Sequence, residues 1–178
     1  MSHIGIDLGT TFSAVATVDD TGRPKIIPNP KESESRGHGY DGNITPSCVG
    51  IIEDGNDFRV GAQPLNSLFL PGSKAAGRFK REMGTDKVYE LNGKTLTPTD
   101  LSALVLARLK EFAEEQLGPI TSAVVTVPAN FANEARDATL DAANKAGLKV
   151  EHIINEPTAA AFYYAYKSGG DLSGNSHP

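Results

Sequence analysis

The chain has 178 residues, enough to bury a sizeable core in one domain or two small ones. A hydrophobic fraction of 39% beside 22% charged residues excludes a disordered or fibrous chain, and a net charge of -5 argues against a basic nucleic-acid surface. The single cysteine, Cys48, cannot form an internal disulfide, nothing ahead of Ile4 reads as a signal peptide, and no apolar run approaches membrane-spanning length, so the expected location is the cytoplasm.

The stretch Ile4 to Asp19, IGIDLGTTFSAVATVD, predicts a β-hairpin. An apolar run carries Asp7 into a tight turn of Gly9, Thr10 and Thr11, and a second run, Ala14 to Val18, leads away. Gly9 lets the backbone approach a ligand, and the amides and hydroxyls of Thr10 and Thr11 are donors suited to phosphate oxygens. Asp7 would repel a phosphate directly, but it could hold a hydrated Mg2+ beside one, since that ion keeps several waters and often needs only one or two carboxylates. The same letters also serve an ordinary hairpin, because turns favour Asp, Gly and Thr.

Arg23 to Pro28 suggests a third strand, and polar turn formers then run from Asn29 to Thr45. Within them Gly37 to Gly42 spells G-x-G-x-x-G, but no buried strand precedes it and no helix follows, so it is not a dinucleotide fingerprint. Asn43-Ile44-Thr45 is a glycosylation sequon by letter only. Ser47 to Ile52 and Phe58 to Gly61 predict a hairpin around the turn-rich Glu53 to Asp57. Leu65 to Met83 is mixed and partly helical in pattern, and Val88 to Leu91 with Thr95 to Leu96 flank Asn92-Gly93, a strong hairpin turn.

Thr97-Pro98-Thr99-Asp100 is a capping box with proline at the first helical position. The helix it opens carries Leu101, Leu104, Val105, Leu109 and Phe112 at helical spacing and stops at Gly118-Pro119. Ala123 to Val127 reads as a buried strand, Glu134 to Ala146 as an alanine-rich helix ended by Gly147, and Val150 to Ile154 as the next strand. Strand, helix, strand demands a parallel pair with a right-handed crossover, hence a mixed α/β sheet with ligands at the carboxyl ends of its strands. Asn155 to Thr158 caps a further helix through Tyr166. Glu156, just past a strand end, could orient a water or help hold a metal, or could simply complement the helix dipole.

Three segments, IGIDLGTTFSAVA, VVTVPANFANEARDATLDAANKAGL and IINEPTAAAFYYAY, resemble the seventy-kilodalton heat-shock chaperones, the DnaK family, in that family's order. The resemblance covers nearly the whole chain and is weakest between Asn29 and Asn92. It implies the actin-like, ribonuclease-H-like ATPase fold: a core subdomain of residues 1–30 and 97–170, an inserted α+β subdomain of residues 31–96, and a tail of residues 171–178. Gly9, Thr10 and Thr11 match the first phosphate loop, and Asp7 the carboxylate that contacts Mg2+ through water. Phe79-Lys80-Arg81, followed by Met83-Gly84, resembles the segment of the catalytic lysine, which assigns that role to Lys80. A solvated surface lysine is the alternative, with Lys74, Arg78, Arg81 and Lys87 nearby. Glu156 matches a glutamate near the magnesium and attacking water. Pro128 and Arg136 match an interdomain relay, although Pro128 could equally end a strand and Arg136 be a solvated helix charge.

Phe12 stands where that family more often has a polar residue or tyrosine, Asn130 stands where tyrosine is usual, and the loop Pro30 to Asn43 is longer than usual. Leu172 to Asn175 resembles the approach to the second phosphate loop, but the sequence closes at Pro178. The resemblance therefore implies the first lobe of the nucleotide-binding domain of an ATP-hydrolysing chaperone, with ATP or ADP and Mg2+ as cofactors and an expectation that this lobe alone is inactive. Its partners by resemblance are the second lobe, a peptide-binding domain, a J-domain co-chaperone and a nucleotide exchange factor, with no nucleic acid and no membrane. The alternatives are another ATPase of the actin and sugar-kinase superfamily, or a non-enzymatic module that docks on a co-chaperone.

Overall fold

The apolar run at the amino terminus folds as the sequence requires: β1 (Ile4–Leu8) and β2 (Phe12–Val18) pair as an antiparallel hairpin, with Ile6, Leu8 and Val15 fully buried. They belong to a computed structural model that describes residues 4–19, 21–31, 42–51, 57–120, 122–127 and 130–154. β3 (Pro24–Ile26) and the short β4 (Thr45–Pro46) both pair antiparallel with β2, β4 at its start and β3 at its end. The chain between these two strands returns to a common base. Buried Asn29 donates from Nδ2 to Thr45 Oγ1 (3.0 Å) and accepts at Oδ1 from Arg108 (2.9 Å), and its amide donates to the Gly42 carbonyl (2.7 Å). Residues 32–41 of the long loop lie outside the described residues.

A second, three-stranded sheet follows. β5 (Cys48–Ile51) is central, flanked antiparallel by β6 (Phe58–Val60) and by β7 (Ala75–Gly77), with α1 (Ala62–Ser67) packed against it. β7 lies where the sequence suggests partly helical structure. Its Ala-Ala-Gly has little strand propensity of its own, so tertiary fit decides: a Cβ on Gly50 would sit 3.0 Å from Pro64 Cβ and 3.2 Å from Ala75 Cβ, and only small residues let these elements close up. Cys48 is buried there and its thiol is pushed up to about 12, which leaves no reactive thiolate. β8 (Tyr89–Leu91) and β9 (Lys94–Leu96) form the hairpin predicted around Asn92-Gly93, both of which take positive φ.

α2 (Pro98–Leu117) opens with both hydrogen bonds of the capping box, Asp100 N to Thr97 Oγ1 at 3.1 Å and Thr97 N to Asp100 Oδ2 at 3.0 Å. Leu101, Val105, Leu109 and Phe112 form its fully buried stripe, while Leu104 is half-buried. β10 (Ser122–Thr126), α3 (Asn133–Lys145) and β11 (Lys149–Ile154) form the expected crossover, with β10 parallel to both β11 and β1. The large sheet thus runs β11-β10-β1-β2-β3. α3 packs on α2, and Lys145 in its last turn pairs with Asp100 in the first turn of α2 at 2.6 Å.

Candidate functional site

The parallel pairing of β1 with β10 places Asp7 opposite Thr126, and the hairpin places Ala14 on its other side. Thr126 donates from Oγ1 to Asp7 Oδ1 at 2.9 Å, and the other carboxylate oxygen receives no hydrogen bond from a described residue. Beyond Leu8 the chain bends through Gly9, Thr10 and Thr11. Gly9 is obligatory there, because a Cβ would lie 1.9 Å from the Phe12 carbonyl oxygen. Gly9, expected from the sequence to let the backbone approach a ligand, serves first to close the bend on itself. The bend is braced from behind, where Ser47 donates its amide to the Thr11 carbonyl (2.8 Å) and its hydroxyl meets that of Ser13 (2.7 Å). Gly9 and Thr10 are half-buried and Thr11 is exposed, so the outer side is accessible.

Lys80 arrives from a different part of the chain. It sits in a 3-10 turn, Phe79–Glu82, entered through Arg78 in the left-handed region (φ 56°, ψ 20°). That reversal sends Phe79 into the core at 1% exposure and brings Lys80 to the end of β1 at 6% exposure. Lys80 Nζ donates to the Leu8 carbonyl and lies 5.6 Å from the centre of the Phe131 ring, within cation–π range. The turn is fixed to the helices behind it. Ser102 of α2 contacts Met83 Sδ at 3.3 Å, and Gly84 (φ 79°) abuts the start of α3 so closely that a Cβ would meet the Glu134 carbonyl carbon at 2.8 Å.

The electrostatics follow from burial. Desolvation pushes the Asp7 carboxyl above its ordinary value, against the opposing effects of the Thr126 hydrogen bond and the Lys80 charge. Desolvation likewise pushes Lys80 down, and the Asp7 charge partly restores it. The two form no salt bridge in contact, and the ammonium hydrogen-bonds to a neutral carbonyl. Among the described residues neither charge meets an opposite charge in contact, which suits a site completed by an anion and a cation arriving together.

A recess of about 400 Å³ opens beside these groups, lined by Thr10, Lys80, Arg81, Asn130, Phe131 and the first turn of α3. Thr10 and Lys80 thus line one recess, with Asp7 close enough for its charge and that of Lys80 to act on each other. Glu156 and Pro128 lie outside the described residues, and Arg136 is half-buried on α3, next in sequence to Ala135, which lines the recess. Thr126, Phe131 and the Leu8 carbonyl join the site without a motif that marks them in the sequence. A threonine ending the apolar run of β10 was a signal available for the first; a main-chain carbonyl leaves none.

Among the described residues no group of three or more His, Cys, Asp or Glu side chains could hold a metal ion, and the donor at this site is one carboxylate. A single carboxylate, one of whose oxygens accepts no hydrogen bond from a described residue, fits Mg2+, which retains waters and takes further oxygens from phosphate. Nor, among the described residues, is any helix long and apolar enough to cross a membrane.

A mixed sheet with flanking helices is an α/β architecture, here that of the actin-like ATPase fold. The family model described as Hsp70 protein matches residues 3–90 and 85–172, and the chain belongs to the Hsp70 family. Membership makes it part of a chaperone ATPase, with ATP or ADP and Mg2+ as the implied ligands and co-chaperones and a substrate-binding domain as the implied partners.

Proposed function

We propose that this chain is the first lobe of the nucleotide-binding domain of a DnaK-type cytoplasmic chaperone, made of the core subdomain 1–30 and 97–170 with 31–96 inserted. Its bend Gly9-Thr10-Thr11 contributes half of a phosphate clamp. The observation that carries this reading is the position of Lys80, buried at the end of β1 beside Asp7 although 72 residues separate it from its partner Leu8.

In this reading, Thr10 and Thr11 hold phosphate oxygens by their amides and hydroxyls, Asp7 holds the waters of Mg2+, and Lys80 stabilises charge that develops on the γ-phosphate. The chemistry that Mg2+ would supply when bound there is neutralisation of charge on the phosphate oxygens. Glu156 orients the attacking water, and Pro128 and Arg136 carry the nucleotide state toward the peptide-binding domain. Phosphoryl transfer is catalysed chiefly by positioning, which needs donors on both sides of the phosphates. One lobe supplies one side. The isolated chain therefore folds, binds Mg-ATP weakly and turns it over negligibly. Calorimetric titration tests this directly, and micromolar Mg-ATP affinity of the isolated chain would contradict it. In the full-length protein, Lys80→Met and Asp7→Asn strongly lower turnover if the site is an ATPase, whereas a chain that only docks is indifferent to both.

A further inference from the structure

We propose that Thr126 is a positioning residue for the cation: its hydroxyl fixes the Asp7 carboxylate so that the remaining oxygen faces the hydrated Mg2+. The inference rests on the reading of Asp7 given above and adds a residue to it.

The geometry begins with register. Asp7 and Thr126 are paired partners on adjacent parallel strands, each near the carboxyl end of its strand. Thr126 is 4% exposed, so its hydroxyl has no bulk water to turn to, and its hydrogen bond to Oδ1 spans 2.9 Å. A carboxylate at a strand end rotates freely about its last bond unless something holds it. Here one oxygen is held by Thr126, and the other accepts no hydrogen bond from a described residue. Lys80 forms no salt bridge or hydrogen bond with either oxygen; its ammonium donates to the Leu8 carbonyl and acts on Asp7 only through its charge. The four residues around Thr126 in the same run, Ala123, Val124, Val125 and Val127, are all apolar, and packing alone would be met by valine at this position. A hydroxyl in place of a methyl group serves the carboxylate.

Partners behind a metal-binding group typically change metal affinity by 10-fold to 100-fold when removed. Thr126→Val keeps the shape and removes the hydroxyl; Thr126→Ser keeps the hydroxyl and removes the methyl group. The experiment titrates Mn2+ into the ADP-loaded full-length protein and reads bound cation by electron paramagnetic resonance, with ADP affinity in the presence of chelator measured alongside. Thr126→Val is expected to weaken Mn2+ about tenfold with chelator-measured ADP affinity unchanged, and Thr126→Ser to restore Mn2+ binding to within about twofold. Equal Mn2+ affinity in the wild type and Thr126→Val overturns the proposal, as does loss in both variants, which would make the role one of packing. Asp7→Asn separates the two levels. If it weakens Mn2+ while Thr126→Val does not, only the positioning role falls; if it leaves Mn2+ unchanged, the reading of Asp7 falls and takes this inference with it.

Discussion

Lys80 gives its buried ammonium to the main-chain carbonyl of Leu8 and not to the carboxylate of Asp7 one residue earlier. Pairing with the carboxylate would neutralise both groups and leave little for a ligand. Bonding to the carbonyl holds the lysine in place and keeps its charge available. In the full-length protein, Lys80→Met is expected to lower the single-turnover rate of ATP hydrolysis by about 10²-fold to 10³-fold, the usual effect of removing one preorganised transition-state donor. Lys80→Arg should fail as well, because a planar guanidinium does not reproduce a compact ammonium in a buried slot. Quenched-flow measurement with bound ATP checks both.

Asp7 is expected to reduce the stability of the empty protein. Its carboxyl is raised above the ordinary value chiefly by desolvation, so the folded state binds a proton more readily than the unfolded chain. The sign is therefore a cost at neutral pH, relieved as pH falls through the folded value. Without nucleotide and Mg2+, Asp7→Asn should melt at a higher temperature than wild type at pH 7, with the gap narrowing in acid. Equal or lower melting at pH 7 would show that the Lys80 attraction outweighs desolvation.

Asp100 has the opposite sign. Its partial burial would raise the carboxyl, but the hydrogen bonds from Lys145 and from Thr97 outweigh that and hold it below its ordinary value. Its contribution to stability is complete above the unfolded value of 3.8 and is lost as pH falls through the lower, folded one. Because the pair is exposed, Lys145→Met should cost no more than about 1 kcal/mol at pH 7. Wild type and variant should converge in strong acid, as read by urea denaturation at several pH values.

Gly84 and Gly93 share a φ of 79° but not a neighbourhood. A Cβ on Gly93 meets nothing within 4 Å, whereas one on Gly84 would be 2.8 Å from the backbone of α3. Gly93→Ala should therefore cost about 1 kcal/mol, the conformational term alone. Gly84→Ala should cost a further 1–3 kcal/mol or so from overpacking, and should displace the turn that carries Lys80. Thermal melts of both variants, with nucleotide affinity of the full-length protein, separate the two effects.

Local chemistry was enough for much of this protein. The hairpin of Ile4 to Val18, the capping box at Thr97, the stripe of α2 and the β10-α3-β11 crossover all depend on periodicity, caps and turns within a few residues of one another, and each is readable in the chain. The Hsp70 signature segments add the family for the same reason, as short contiguous runs of letters. Tertiary structure decided what contiguity could not. Ala75–Gly77 became a strand because β5 and α1 leave room only for small residues, and Gly9 proved indispensable because of the Phe12 carbonyl. The Lys80 bond to Leu8 and the Thr126 bond to Asp7 join residues 72 and 119 positions apart, and long-range partners of that kind are set by strand register and packing, which no local pattern records.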